Sequence, residues 1–354
     1  MSLAGITEKS RSIIKYGVMI AGALFLIYIL FIGGIFVKNI LFPTAPTGPE
    51  QGFGQLPEIV FEQKASPAIN YVINTTSGKL PANLPTRLLV YKIAQLKPDL
   101  LALQNARNIA SAAGFKTGEI KISENVYQWS NPTTNSVMVY DITMKNFEIS
   151  SNLLSNQSII NNASFPNEDK IRQYVSEFLN SVNVNLEKLG YAKDSIKYYN
   201  FNGSKLIPQD DSLNAKVARI NLYNNSIENE RGIFPFVYPN PEFPLVTVLV
   251  TFPSSSRMVV LGGEFYNKIL TDESSEYQIK TPDEAYSDLQ SGIGYLLNPN
   301  NQSTFEITDV YLGYFLDKNI NEYVQPVYIF EGIGGKAFVP AIKFSTQSAE
   351  LTSE

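Results

Sequence analysis

The first pattern in the chain is an unbroken apolar stretch near the N-terminus. Residues 16–37 read YGVMIAGALFLIYILFIGGIFV and contain no charged side chain. At about 1.5 Å per residue, a helix of this length crosses the roughly 30 Å hydrocarbon layer of a bilayer. We therefore predict a transmembrane helix at 16–37, in contact with membrane lipid, that follows a tail at 1–15.

The charges beside this stretch predict its orientation. Lys9, Arg11 and Lys15 precede it, whereas Lys38 alone follows closely. Because positive charge favours the cytoplasmic side, we expect a cytoplasmic N-terminus and a single-pass signal anchor in the cell membrane, with the C-terminal ectodomain outside. A cleaved signal peptide is the alternative, but it would have a shorter apolar region that ends at a small-residue cleavage site.

Downstream of this segment, the chain changes from a Pro/Gly-rich stretch to alternating helical and strand patterns. Residues 38–57 are predicted to form a stalk, since Pro and Gly recur in PTAPTGPEQGFGQLP. Three helices are then predicted from Pro near the first turn and Gly past the last one. The residue pairs are Pro98 with Gly114, Pro166 with Gly190, and Pro282 with Gly294.

Strand-like segments of alternating polarity follow each predicted helix. They include SVMVYDITM after the first, LVTVLVTF after the second and FEITDVYLGYFL after the third. We therefore predict an α+β fold of repeated units, each a helix on an antiparallel β-meander. The expected boundaries are 58–164, 165–278 and 279–344, with a disordered tail at 345–354.

The last unit resembles a known family in its motifs. The helix opening at 282–285 (PDEA), the strand motif at 311–314 (YLGY) and the motif at 325–328 (QPVY) are similar to the PepSY-like repeats of peptidase propeptides. They are also similar to membrane-anchored extracytoplasmic regulators of the YycH/YycI kind. The resemblance covers 279–344 and implies an envelope protein that restrains a sensor kinase. It assigns no partner-binding residues to this sequence.

Composition narrows the chemistry. The 354 residues include no Cys and no His, which excludes disulfides, Cys nucleophiles, His general bases and imidazole metal ligands. The net charge is −5, from 28 Lys and Arg against 33 Asp and Glu. An acidic body repels nucleic acid, so no nucleic-acid partner is predicted. No cofactor, metal or catalytic residue is assigned either.

One segment stands out as a candidate partner contact. Residues 233–244, IFPFVYPNPEFP, are dense in aromatics and prolines. As an exposed loop this segment would present Phe234, Phe236, Tyr238 and Phe243 to a protein partner. The alternative is that these side chains pack across a sheet.

Three other patterns have a structural and a functional interpretation. The acidic runs at Asp210-Asp211 and Asp272-Glu273 are solvated loops or calcium ligands. The serines at 254–256 form a hairpin turn or include a nucleophile. The aromatics from 311 to 330 are cross-strand core pairs or line a groove.

Together these patterns predict a non-enzymatic, single-pass extracytoplasmic protein that binds and regulates or scaffolds another cell-envelope protein. The alternative is a cell-surface hydrolase that uses paired carboxylates, a chemistry that needs neither His nor Cys. A bare structural spacer is a third interpretation.

Overall fold

The computed structural model describes residues 52–61, 65–66, 68–97, 100–254, 257–297, 303–320 and 322–343. The predicted cytoplasmic tail, the predicted helix at 16–37 and the predicted tail at 345–354 lie outside these residues. So does the predicted stalk, except for 52–57.

The helices of the described residues do not agree with the predicted single-pass membrane topology. In these ranges, no helix combines the length and the apolar character that crossing a bilayer requires. The prediction of a single-pass membrane protein is therefore wrong for this part of the chain. The described end of the predicted stalk belongs to the folded body, since Leu56 is buried and the Phe53 ring lies 4.9 Å from that of Tyr323.

The described residues form short helices and many strands. The helices are α1 Ala102–Ala112, α2 Gln157–Ile160, α3 Glu168–Ser181 and α4 Pro282–Gln290. The strands of the first half are β1 Asn70–Ile73, β2 Arg87–Ile93, β3 Thr117–Lys121, β4 Val126–Asn131, β5 Ser136–Asp141, β6 Phe147–Ser151, β7 Tyr191–Phe201, β8 Leu206–Gln209, β9 Val217–Asn224 and β10 Ile227–Asn229. Those of the second half are β11 Gly232–Phe234, β12 Phe236–Val237, β13 Val246–Ser254, β14 Arg257–Phe265, β15 Leu270–Gln278, β16 Tyr295–Leu297, β17 Thr304–Phe315, β18 Tyr323–Val324, β19 Pro326–Gly332 and β20 Gly335–Pro340.

A nine-stranded sheet forms the larger layer, in the order β3-β4-β5-β6-β14-β13-β9-β7-β8. Its two halves meet where β6 pairs antiparallel with β14, with Phe147 opposite Phe265. Buried residues of α1 and α3, such as Ile109 and Val175, share one core cluster with alternate strand residues such as Met138. Since alternate strand residues point to one face, both helices cover the same face of this sheet.

A second, six-stranded sheet has the strand order β1-β17-β19-β20-β16, and β12 also pairs with β17. Strands β17, β19 and β20 pair antiparallel, whereas β1 and β12 run parallel to β17. Ala285 and Leu289 of α4 are fully buried in the core cluster that includes Phe330 and Val339. A three-stranded sheet, β15-β2-β18, contributes Leu88 and Tyr277 to the same cluster.

The predicted fold class of repeated helix-plus-meander units is wrong: the protein is mostly β. The hairpins lie where the alternation of apolar and polar residues predicts them. The predicted units are not separate, however, because strands of one unit pair with strands of another. Strand β6 joins β14 across the predicted boundary at 164, and β2 pairs with both β15 and β18. Because these contacts join residues far apart in sequence, no local pattern encodes them.

Candidate functional site

The predicted contact segment is largely packed inside the protein. Phe234 and Tyr238 are each 5% exposed, and Phe236 is half-buried. The exposure expected of a contact loop is therefore wrong for Phe234 and Tyr238. The start of the segment lies in the β10–β11 hairpin, with Phe234 opposite Ile227. After Pro235 the chain runs extended and adds to β17 as the parallel strand β12, with Phe236 opposite Tyr314.

Tyr238 connects this segment to the nine-stranded sheet. Its hydroxyl donates to Asn224 Oδ1 over 2.8 Å and accepts the Asn224 backbone N–H over 3.1 Å. Burial of the phenol raises the pKa of Tyr238 well above its ordinary value. The segment thus links the nine-stranded sheet to the six-stranded sheet.

Phe243 differs from the other three aromatics, since it is 47% exposed. Its ring covers the Arg219 guanidinium at 4.4 Å, and the Tyr199 ring lies 5.2 Å from the same guanidinium. The neighbouring Glu242 forms a 2.6 Å ion pair with Lys197. These contacts fasten the end of the segment to the sheet.

A groove opens elsewhere, on the helix-covered side of the nine-stranded sheet. Its main part is a cavity of about 430 Å³ between α1, the segment that follows α3, and the connection from β14 to β15. Most of its lining is apolar: Leu96, Ala102, Ile109, Tyr140, Ile142, Val182, Val184, Leu189, Phe265 and Ile269. A cavity of this size and character is typical of a ligand site.

Two tight backbone turns lie at the walls of this cavity. Helix α3 ends at Ser181, earlier than the predicted end at Gly190, because Asn183 takes a left-handed conformation with φ of 63°. The Val184 N–H then donates to the Leu179 carbonyl over 2.9 Å, which turns the chain away from the helix axis. Lys145, with φ of 57°, forms the tight turn at the opposite wall.

A second cavity of about 220 Å³ adjoins the first, and Lys188, Leu189 and Ile269 line both. Its lining also includes Phe236 and Lys268. We call the two cavities together the α1 groove. One of the four predicted contact residues, Phe236, therefore lies in this groove.

Among the described residues, the charged side chains that line the α1 groove are lysines: Lys145, Lys188 and Lys268. No described carboxylate lines either cavity. Lys268 is 5% exposed and donates its ammonium to the Lys318 carbonyl over 2.8 Å. Burial lowers the pKa of Lys268 to about 8, although Asp317 partly offsets this effect.

One polar atom in the lining is left without a partner. Asn267 is 9% exposed, and its backbone N–H donates to Asn146 Oδ1 over 2.7 Å. The side-chain Oδ1 of Asn267 is buried and accepts no hydrogen bond from the described part of the chain. A buried acceptor without a donor costs free energy, so a donor from a bound molecule would stabilise this site.

Exposed apolar side chains lie next to the α1 groove. Leu100 and Leu101 directly precede Ala102 of the lining, and they are 105% and 64% exposed. Ile269 in the lining is 37% exposed. Clustered exposed apolar residues are typical of interaction surfaces.

A larger cavity, of about 620 Å³, lies beside α4 and differs in its electrostatics. Its lysines are paired: Lys280 with Asp288 over 2.7 Å, and Lys343 with Glu284 over 2.5 Å. These ion pairs tie both lysines to α4, and the carboxylate of Glu58 also lines the cavity.

Several of the other patterns noted in the sequence have structural roles in the described chain. Asp211 accepts the Leu213 N–H over 2.9 Å in an exposed turn. Glu273 forms an ion pair with Lys92 over 2.8 Å, and Glu276 pairs with Arg87 and Arg231. Ser254 ends β13 in its hairpin with β14, and residues 255–256 lie outside the described residues. The aromatics of the last unit follow the core interpretation, with Tyr314, Phe315, Tyr328 and Phe330 almost fully buried.

Sequence reasoning missed the lining of the α1 groove. Its lysines and Asn267 come from three separate segments, and each looks like an ordinary surface or turn residue. Lys145 itself takes a left-handed conformation in a tight turn, and such a turn predicts a hairpin but not which residues the hairpin lies against.

Comparisons with known proteins leave the family open. No family model matches the sequence, and no curated protein sequence matches it. An uncharacterized protein from Eubacterium rectale is similar at 11% identity and a TM-score of 0.38, over 75% of this chain and 80% of that one. The Bacillus megaterium YpeB C-terminal domain, from a PepSY-containing protein, is similar at 14% identity and a TM-score of 0.31, over 71% of this chain and 95% of that one. Both TM-scores are too low to carry an argument about fold or function.

Proposed function

We propose that this protein is a non-enzymatic binding protein that regulates or scaffolds another protein, and that the α1 groove is its binding site. The observation that carries the proposal is the combination in one place of an apolar cavity, exposed leucines and an unpartnered buried acceptor. Each of these features costs free energy or solubility in the isolated chain, and each is relieved when a partner covers it.

The size of the groove supports a bound segment rather than a broad flat contact. Apolar cavities of about 300–1,000 Å³ with a few polar groups hold ligands and side-chain anchors well. In such interfaces a few buried anchors supply most of the affinity. A partner that inserts one or two apolar side chains between α1 and the 182–189 segment fits this arrangement.

Occlusion of the groove tests the proposal. Asn105 lines the groove from the exposed side of α1, so Asn105→Trp is expected to fill its mouth. Asn108 is exposed on the same helix and does not line the groove, so Asn108→Trp is the matched control. The full-length variants would be crosslinked in the producing cells and their partners identified by mass spectrometry. We expect a partner that is lost with Asn105→Trp and retained with Asn108→Trp; equal recovery with both would contradict the proposal.

The hydrolase alternative requires two carboxylates that face each other across a cleft. Glu148 and Glu264 lie opposite each other on β6 and β14, and the Tyr266 hydroxyl donates to Glu148. Neither carboxylate lines the α1 groove. The groove therefore favours the binding function, and we propose no catalysis.

A further inference from the structure

We infer that the occupant of the α1 groove is an acidic peptide segment with a bulky apolar anchor, contributed by another protein. This inference rests on the proposed function and adds the chemistry of the partner. It is argued from the charge, shape and hydrogen-bonding capacity of the groove.

Charge complementarity is the first argument. The chain as a whole has a net charge of −5, yet the charged residues that line the groove are Lys145, Lys188 and Lys268. A cationic groove on an acidic protein attracts carboxylates and disfavours basic segments. Opposite charges across an interface also steer association and fix register.

The apolar lining of the groove is the reason to expect an apolar anchor residue in the bound segment. Val182, Val184 and Ile109 form the buried floor, and Tyr140 closes one side. These residues offer no charge to a ligand, so a leucine or an aromatic side chain is the group that gains most from burial here. The carboxylates of the same segment would then lie near Lys145 and Lys188, both of which are exposed.

The unpartnered Asn267 Oδ1 and the second cavity favour a peptide over a small amphiphile. A backbone N–H of a bound segment supplies the donor that Asn267 lacks, whereas a fatty acid carries none when ionised. The adjoining cavity extends the groove toward Phe236, so the binding surface is longer than one anchor.

The test uses the full-length chain and a random twelve-residue peptide library displayed on phage. Three variants are panned in parallel: Asn105→Trp, the double variant Lys145→Asn with Lys188→Gln, and the double variant Lys121→Gln with Lys205→Gln as the control. Asn is chosen at 145 because it tolerates the left-handed conformation there. Lys121 and Lys205 are exposed and lie outside both cavities.

Peptides that are enriched on the unmodified chain and lost on Asn105→Trp are expected to carry net negative charge around a leucine or aromatic residue. Their affinity should fall about threefold to tenfold with the Lys145/Lys188 variant and with added salt, and stay unchanged with the control. Enriched peptides that are neutral or basic, or that ignore Lys145 and Lys188, would overturn the acidic assignment while leaving the binding function intact. Failure to enrich any peptide over Asn105→Trp would overturn both, and calorimetric binding of dodecanoate in that case would assign the groove to a small amphiphile.

Discussion

Tyr314 donates its backbone N–H to the carbonyl oxygen of Pro235 over 2.9 Å, which fastens the proline-rich segment to strand β17. Gly313 makes this approach possible. A Cβ at this position would lie 2.6 Å from the Pro235 oxygen and 2.6 Å from Ile329 Cδ1. The sequence left both an exposed contact and internal packing open for this segment. The structure shows it packed against β17 through a backbone contact that Gly313 permits.

Gly313→Ala is expected to loosen this link between the segment and β17. The added methyl group clashes with backbone on one side and a buried side chain on the other, at a cost of about 1–3 kcal/mol. Urea unfolding would measure the loss of free energy of unfolding. An unchanged unfolding midpoint would show that the segment does not depend on this close contact.

Tyr238 and Phe243 are expected to respond differently to the same substitution. Tyr238→Ser removes a buried ring and its hydrogen bonds with Asn224, so we expect a loss of about 3–5 kcal/mol. Phe243→Ser removes a ring that is half exposed, so its cost should stay below about 1 kcal/mol. Thermal melting of the two variants checks this order, and a larger drop for Phe243→Ser would contradict the packing described here.

Glu264 gives the protein a defined response to pH. Burial and the nearby Glu148 raise the pKa of Glu264 above its ordinary value. The folded state therefore holds this proton to higher pH than the unfolded state does, so this group destabilises the fold at neutral pH and less so in acid. Glu264→Gln should raise the free energy of unfolding at pH 7, and the gain should shrink as the pH falls below the folded pKa. A gain that grew in acid would have the wrong sign.

Lys268 is expected to change the pH dependence of stability in the opposite direction, at alkaline pH. Its pKa is lowered to about 8 by burial, against 10.5 in the unfolded chain. Between these values the unfolded state binds more protons, so stability relative to a neutral variant rises with pH. The difference in unfolding free energy between Lys268→Met and the unmodified chain should thus favour the variant most below about pH 8 and narrow toward pH 10.5. A difference that is constant across this range would place the lysine in a solvated environment.

Local sequence signals located much of the secondary structure. The Thr281 and Glu284 capping box, with Pro282 after it, fixes the start of α4 where the sequence predicts it. Asn167 caps the start of α3 with one bond, in which its side chain accepts the Lys170 N–H over 3.0 Å. These signals work because capping involves residues only three apart.

Those local signals could not predict how the helices and strands are arranged in the fold. The pairing of Phe147 on β6 with Phe265 on β14, and of Phe236 with Tyr314, joins segments separated by many residues. A proline-rich aromatic run reads equally well as an exposed loop or as an added strand, because the same extended backbone serves both. Residues from seven separate segments line the α1 groove, so no single motif predicts it.

Site-specific photocrosslinking tests the central claim, that a partner protein lies in the α1 groove. Benzoylphenylalanine would replace Asn105 at the groove in one full-length protein and Asn108 outside it in another, followed by irradiation in the producing cells. The account predicts a crosslinked partner from position 105 and little or none from position 108. Equal crosslinking from both positions, or crosslinking from position 108 alone, would contradict it.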